Sequence, residues 1–459
     1  GNVALSSGTN TVTAQDQGTV AVSMSGGDTS FTDAGTGDAA FYATGTGTFS
    51  VTDTGASTGT LTIGVLSSAS SSLSWNAATG TRQATISAAA GTGSVTTGSG
   101  VVSAMQAGNA ALTFLMGQSG ANSTLDLTAQ GANMATIDTS GNTQTIDTTG
   151  STAAVVVFGG ASAVSYTGGT GILVSNSSDD TTDWTITGVS GGSNQVWLGN
   201  SDVTINAGGA NQVILGNGAG LNGSVSITGG SSSDTEEVDL WNEAGTTGTV
   251  TQTGSSSLSV FGSEAGSGDI TLSNGNVALS SGTNTVTAQD QGTVAVSMSG
   301  GDTSFTDAGT GDAAFYATGT GTFSVTDTGS GNAILSIMQL ASSTASGTVV
   351  GGAKQLDVTT GGGDMTVTAG AGGLDLSTAG AGALTLDITN GTDHVAINSG
   401  NTGDVTVSGG AVNSNAYFSV TGVASEGIVN GSMVVNLTDG HTVTFVGDAS
   451  SSNITLNLV

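Results

Sequence analysis

Apolar and small polar residues alternate along this chain in short runs. In the first 65 residues the runs are NTVTAQ (10–15), TVAVSMS (19–25), TSFTDA (29–34), AAFYAT (39–44), TFSVTD (48–53) and TLTIGV (60–65). The period of two and the wealth of Val, Ile and Thr predict half-buried β-strands. Their centres lie about 9 to 12 residues apart, with Gly, Asn, Asp or Ser between them. Two strands and two turns then make one coil of about 17 to 22 residues. Gly and Asn supply the positive φ that tight turns require. Proline is absent, as expected where inner strands must donate their N–H groups to neighbours. Two Met-rich stretches, 99–118 and 332–343, leave two readings open: short helices, or bulky strands filling the interior.

Repetition sets the larger organisation. Residues 1–55 recur letter for letter at 275–329. Weaker pairs follow in the same order: GNAALTFLM (108–116) with GNAILSIMQ (331–339), LDLTAQGANM (125–134) with LDVTTGGGDM (356–365), WTITGVS (184–190) with FSVTGVA (418–424), and FGSEAGSGDITL (261–272) with FVGDASSSNITL (445–456). The offset falls from 274 to 223, then from 234 to 184. The chain thus reads as module A, 1–274, and a shorter homologous module B, 275–459, that lacks two segments of about 50 residues. GGSNQVWLGN (191–200) recurs as GGANQVILGN (208–217), a period of 17. A solenoid can lose whole coils and restack, because each coil touches only its neighbours. The expected fold is all-β: a parallel β-solenoid in two homologous modules.

Composition narrows the function classes. The net charge is −31, with two basic residues, Arg82 and Lys354, against 33 acidic ones. A nucleic-acid partner needs Lys and Arg to neutralise phosphates, and an anionic membrane surface would repel such a chain. No apolar run is long enough for a transmembrane helix. Cysteine is absent, which permits either redox compartment. Neither an initiator Met nor a signal peptide stands at Gly1, so the chain is expected to start at a processing site within a longer product.

Calcium is the natural counterion for oxygen-rich, acidic turns. The densest acid cluster is DTEEVDLWNE (234–243), with Asp234, Glu236, Glu237 and Asp239. On a strand, Glu237 and Asp239 would share one face, with Asp234 in the preceding turn. SSDDTTDW (177–184) adds Asp179, Asp180 and Asp183. Each cluster reads either as a calcium clasp or as a solvated acidic turn. A third signal, G-x-D/N-x-apolar, occurs as GTDHV (391–395), GSNQV (192–196) and GANQV (209–213). Here the chain resembles the calcium-binding Gly/Asp nonapeptide repeats of type I-secreted (RTX) proteins, although only GTDHV carries the Asp. That resemblance implies that Asp393 binds calcium in a turn, with Asn194 and Asn211 as weaker analogues. In composition the chain also resembles acidic, cysteine-free bacterial surface-layer proteins and large repetitive adhesins.

Catalysis has little to work with. His394 and His441 lie beside turns, and no serine has a His/Asp partner arrangement. A lyase-type β-helix would need Arg82 or Lys354 as its base, and along the sequence neither lies in an acidic cluster. Scattered TxT runs do not repeat once per coil, as an ice-binding face would require. The expectation is an extracellular bacterial structural protein, not an enzyme, that assembles with itself into a surface layer or filament stabilised by calcium. Its partners would be further copies and cell-surface polysaccharide, without nucleic acid or membrane insertion. The alternatives are the stalk of a secreted adhesin and, third, a polysaccharide-processing enzyme.

Overall fold

A computed structural model describes the chain apart from residues 16, 55–58, 67–69, 78–81, 119, 176–181, 198–200, 216–222, 232, 241–246, 255, 263–265, 290–291, 389–390, 410–413 and 448–453. The fold is an all-β parallel β-solenoid, without helix among the described residues. It divides into two compact units, Gly1–Glu236 and Glu237–Val459, each built from the same kind of coil.

Every second strand stacks in parallel. In the first unit Asn2–Leu5 pairs with Val20–Met24, which pairs with Ala39–Ala43, then Thr60–Val65 and Gln83–Ala88. The intervening strands form a second ladder through Thr9–Ala14, Asp28–Asp33, Thr46–Asp53 and Ser70–Asn76. One coil is the offset between paired residues. Among the described pairs it ranges from 16, as in Val155↔Gly171, to 24, as in Thr46↔Ser70, and reaches 38 in the last coil, as in Val405↔Val443 and Ala416↔Ile454. The 17-residue repeat is one coil, since Ser193–Trp197 lies in register on Ala210–Leu215. The Met-rich stretches are strands: Val101–Gln106, Ala111–Met116 and Ile334–Gln339. Met116 fills the interior, whereas Met105 and Met338 point outward, so these stretches only partly serve as core.

Alternation explains the core. In Ala313–Ala317 the first, third and fifth residues are buried, and Phe315 is fully so. Aromatic rings stack from one strand to the next inside: Phe305 on Phe315 at 6.1 Å, Phe315 on Phe323 at 5.2 Å. Glycine is required where coils meet at the corners. Gly27 (φ +82) lies under the carbonyl of Gly8, 2.3 Å from where a Cβ would stand, and Gly301 (φ +76) repeats this over Gly282. Buried glutamines tie other corners. Gln144 accepts from the Ser123 N–H at 3.0 Å and donates to the carbonyls of Ala121 and Ser140. Gln339 accepts from the Gly361 N–H at 2.7 Å in the same way.

Near the end of the second unit the parallel rule breaks. Val423–Val429 and Ser432–Leu437 form an antiparallel hairpin, and Thr442–Phe445 pairs antiparallel to the latter and parallel to Val405–Gly409. Asn430 (φ 51) and Gly431 (φ 81) make its turn. Asn-Gly between alternating apolar runs is a strong hairpin signal, which a solenoid reading of this segment passes over.

The exact repeat exposes what a neighbouring coil does. Gly275–Leu279 stacks on Ser257–Gly262, and Val277 and Leu279 are buried. The same residues in Asn2–Leu5, Val3 and Leu5, are only half-buried. Two coils on, the difference has gone: Ala39–Ala43 and Ala313–Ala317 have identical burial. Leu279→Ala should therefore cost about 2–5 kcal/mol, as a buried leucine does, and Leu5→Ala clearly less. Urea unfolding of the two variants checks this.

Candidate functional site: acidic positions and their partners

The strand Thr235–Leu240 sorts the densest acid cluster by alternation. Glu237 and Asp239 share the outer face, and Asp234 stands before the strand. Glu236 points inward and is 2% exposed. Asp234 holds its turn, accepting from the Ser231 N–H at 2.7 Å and the Gly209 N–H at 3.0 Å. These N–H groups keep its carboxyl below the ordinary range. Burial, and then the charge of Glu237, raises Asp239. Asp183 is exposed at the start of Asp183–Gly188. Asp179 and Asp180 lie outside the described residues. Among the described residues, no three acidic or histidine side chains converge as a metal-holding group.

The D/N positions of the G-x-D/N-x-apolar signal lie on strands and face inward, not in turns. Asn194, Asn211 and Asp393 are 1%, 2% and 0% exposed. Coil by coil Asn194 and Asn211 take part in an interior polar column. Thr148 donates to the Tyr166 hydroxyl at 2.8 Å, whose ring borders Gly168 and Gly171. Asn194 accepts from the Gly171 N–H and donates to the Gly168 carbonyl, both at 2.9 Å. Asn194 Nδ2 also donates to Asn211 Oδ1 at 3.0 Å, and Asn211 Nδ2 to Glu236 Oε1 at 3.2 Å. Glu236 Oε2 has no partner among the described residues. Burial therefore pushes Glu236 up to about 7, against the pull of Asn211. Asp393 stands opposite Leu374 in register, and neither carboxylate oxygen makes a hydrogen bond of normal geometry. Burial raises it to about 6, with the Leu374 N–H and His394 acting the other way.

The two basic residues mark the other interior site. Along the sequence neither neighbours an acid, yet the fold encloses each beside two aspartates. Arg82 forms an ion pair with Asp33, donates to the Gly35 carbonyl at 2.9 Å, and places Nε 3.9 Å from Asp53. Lys354 pairs with Asp307 at 2.7 Å and donates from Nζ to the Gly311 carbonyl at 2.6 Å. Its backbone N–H donates to Asp327 at 2.9 Å. Asp33 and Asp53 are the repeat equivalents of Asp307 and Asp327, 274 residues apart. Each copy of the repeat thus buries the same carboxylate pair, and a cation from outside the copy answers it. Arg82 reaches back 49 residues and Lys354 47. The local signal is slight: each basic residue stands directly before a Gln that opens a strand, Gln83–Ala88 and Gln355–Thr360. Burial raises Asp307, with the Lys354 ammonium opposing. Both cations are enclosed, so neither is placed to act as base on an outside substrate. His441 lies 3.5 Å from Asp404, with both side chains exposed.

Removing one member of a buried pair leaves an unanswered charge and costs about 3–5 kcal/mol. Lys354→Met should lose that much in urea unfolding. Adding Asp307→Asn and Asp327→Asn should recover most of it. Glu236 and Asp393 predict a pH effect of stated sign. Their folded pKa values lie above the ordinary ones of 4.5 and 3.8, so the folded state keeps protons that the unfolded chain has released. Stability should then fall as pH rises from about 4 to about 7 and level off above. Urea midpoints measured across that range should flatten in Glu236→Gln with Asp393→Asn. Compared with models of protein families, with curated proteins and with solved structures, the chain matches none.

Proposed function

We propose that this chain is an extracellular structural protein whose solenoid coils assemble with those of further copies into a surface layer or filament. One observation carries the reading. The same 55 residues occur in two settings, and in one of them they receive a coil beneath them. Gly275–Leu279 and Thr283–Ala288 stack on Ser257–Gly262 and Ser267–Leu272 through parallel ladders. In the other setting the equivalent face, with Val3, Leu5 and Val12, is half-exposed. The chain therefore contains a strand pair that seats the repeat through parallel ladders, which is the kind of contact that coils of separate copies would make. Association through it would add backbone hydrogen bonds and bury apolar side chains, as strand addition at sheet edges does.

Charge is what holds copies apart. At −31, like chains repel, and neighbouring coils already set carboxylates side by side, as with exposed Asp357 and Asp375. Calcium fits as a bridge between copies, each offering one or two outward carboxylates such as Glu237 and Asp239, rather than as an ion caged within one copy. That makes assembly conditional on a calcium-rich outside medium.

Electron microscopy of the purified chain, with millimolar calcium and again with a chelator, tests this. Ordered sheets or fibres that disappear on chelation are expected. Single particles in both conditions would overturn self-assembly and favour an adhesin stalk. Leu5→Lys, placed on the half-exposed face, should suppress assembly while leaving the far-ultraviolet circular dichroism unchanged.

A further inference from the structure

Outside the solenoid of the second unit lies a groove of about 300 Å³. We propose that it binds a neutral polysaccharide chain. The groove runs across consecutive coils, so its rows are set by strand register. One row carries Asp375, His394, Tyr417 and Thr455; the row beside it carries Ser419 and Asn457. Tyr417 is 51% exposed. Its ring centroid is 5.3 Å from that of His394, at 56°, so a neighbour props the ring while one side stays open. Coils stack about 4.8 Å apart, which spaces the polar groups of a row evenly along the groove.

The chemistry selects the occupant. A pyranose has a C–H face that packs on an aromatic ring, and hydroxyls at its rim that hydrogen-bond to carboxylate, hydroxyl and amide groups. Tyr417 supplies the ring, with an apolar body and a polar tip. Asp375, Ser419, Thr455 and Asn457 supply donors and acceptors around it. An extended peptide finds little purchase, because the central strands under the groove are paired on both sides: Gly391–Asn398 with Leu374–Thr378 and Ser414–Thr421, and the latter also with Ile454–Leu458. Among the described residues the one edge left for augmentation is that of Ile454–Leu458, at the margin of the groove. The apolar surface is one ring rather than the broad patch that protein docking needs. Anionic polymers are disfavoured by the net charge and by Asp375, with Asp357 next to it in register.

Affinity electrophoresis of the full chain in native gels containing laminarin, hydroxyethyl cellulose, soluble starch or dextran tests the assignment, with alginate as the anionic control. At least one neutral polymer should retard the protein and alginate should not. Tyr417→Ala should weaken retardation about tenfold, and Tyr417→Phe by less than about threefold, since the ring is retained. Thr455→Arg, which fills the groove from an exposed position, should abolish it. Circular dichroism identical to the parent protein accompanies each variant. No retardation by any neutral polymer, retardation by alginate alone, or retardation that survives both Tyr417→Ala and Thr455→Arg would overturn the proposal. Chelator is present throughout, so a failure of calcium-dependent assembly leaves this result unaffected.

Discussion

The parallel hydrogen-bond ladder between coils is the constraint on which the rest of this molecule depends. A strand in a coil has its backbone partners one turn below and one turn above, not within its own turn. Every coil is therefore incomplete alone. The exact repeat demonstrates this, since the same letters yield a buried Leu279 and a half-exposed Leu5. What changes between them is the coil beneath. By the third strand pair the burial of the two copies has converged, so the influence of a missing neighbour reaches about one coil. Such short-range dependence is what permits coil lengths to vary from 16 to 24 residues, and to 38 in the last coil, without loss of the stack.

Stacking also dictates where polar groups go. Side chains at one strand position recur above each other at roughly 4.8 Å, so an inward polar residue meets the same position in the next coil. Asn194 over Asn211 over Glu236 turns this into a satisfied column, apart from its final oxygen. Where the inward residues are aspartates, the repetition becomes a burden: Asp33 with Asp53, and Asp307 with Asp327, place like charges inside a medium that disfavours even one. Arg82 and Lys354 resolve it, and they are the chain's two basic side chains. A chain of net charge −31 thus spends both of its cations indoors. Buried pairs of this sort are weak sources of net stability. Their effect here is geometric, since they tie coils separated by nearly 50 residues.

With the cations enclosed, the surface is left to carboxylates, hydroxyls, amides and scattered apolar residues. That surface suits contacts mediated by divalent ions and by hydroxyl-rich ligands, and it suits them at many places, because each coil offers a similar strip. The proposed assembly and the proposed glycan binding would use different parts of it: the first the coil face, the second the outer side of the sheet around Tyr417.

Strand positions were legible in the sequence because alternation and turn residues are local. TSFTDA and AAFYAT predict Asp28–Asp33 and Ala39–Ala43 to within a residue at most boundaries. The 17-residue repeat gave the coil directly, since repetition in a solenoid is translation along its axis. The same local reasoning assigned Glu237 and Asp239 to one face. It went astray for Asp393, Asn194 and Asn211, read as turn ligands through a motif likeness. An isolated D/N before an apolar residue does not say which of the two alternating faces is the interior. Nor could it see the hairpin at Asn430–Gly431, where a local turn signal competes with a long-range stacking pattern. Only the tertiary structure brings Arg82 to Asp33 and Lys354 to Asp307, because the number of coils between two residues, and hence which corners coincide, depends on the summed lengths of every turn between them. The sequence alone determined strand, turn and repeat, for these are set by neighbouring residues. The fold decided which side chains meet across coils, for that is set by register accumulated over nearly fifty residues.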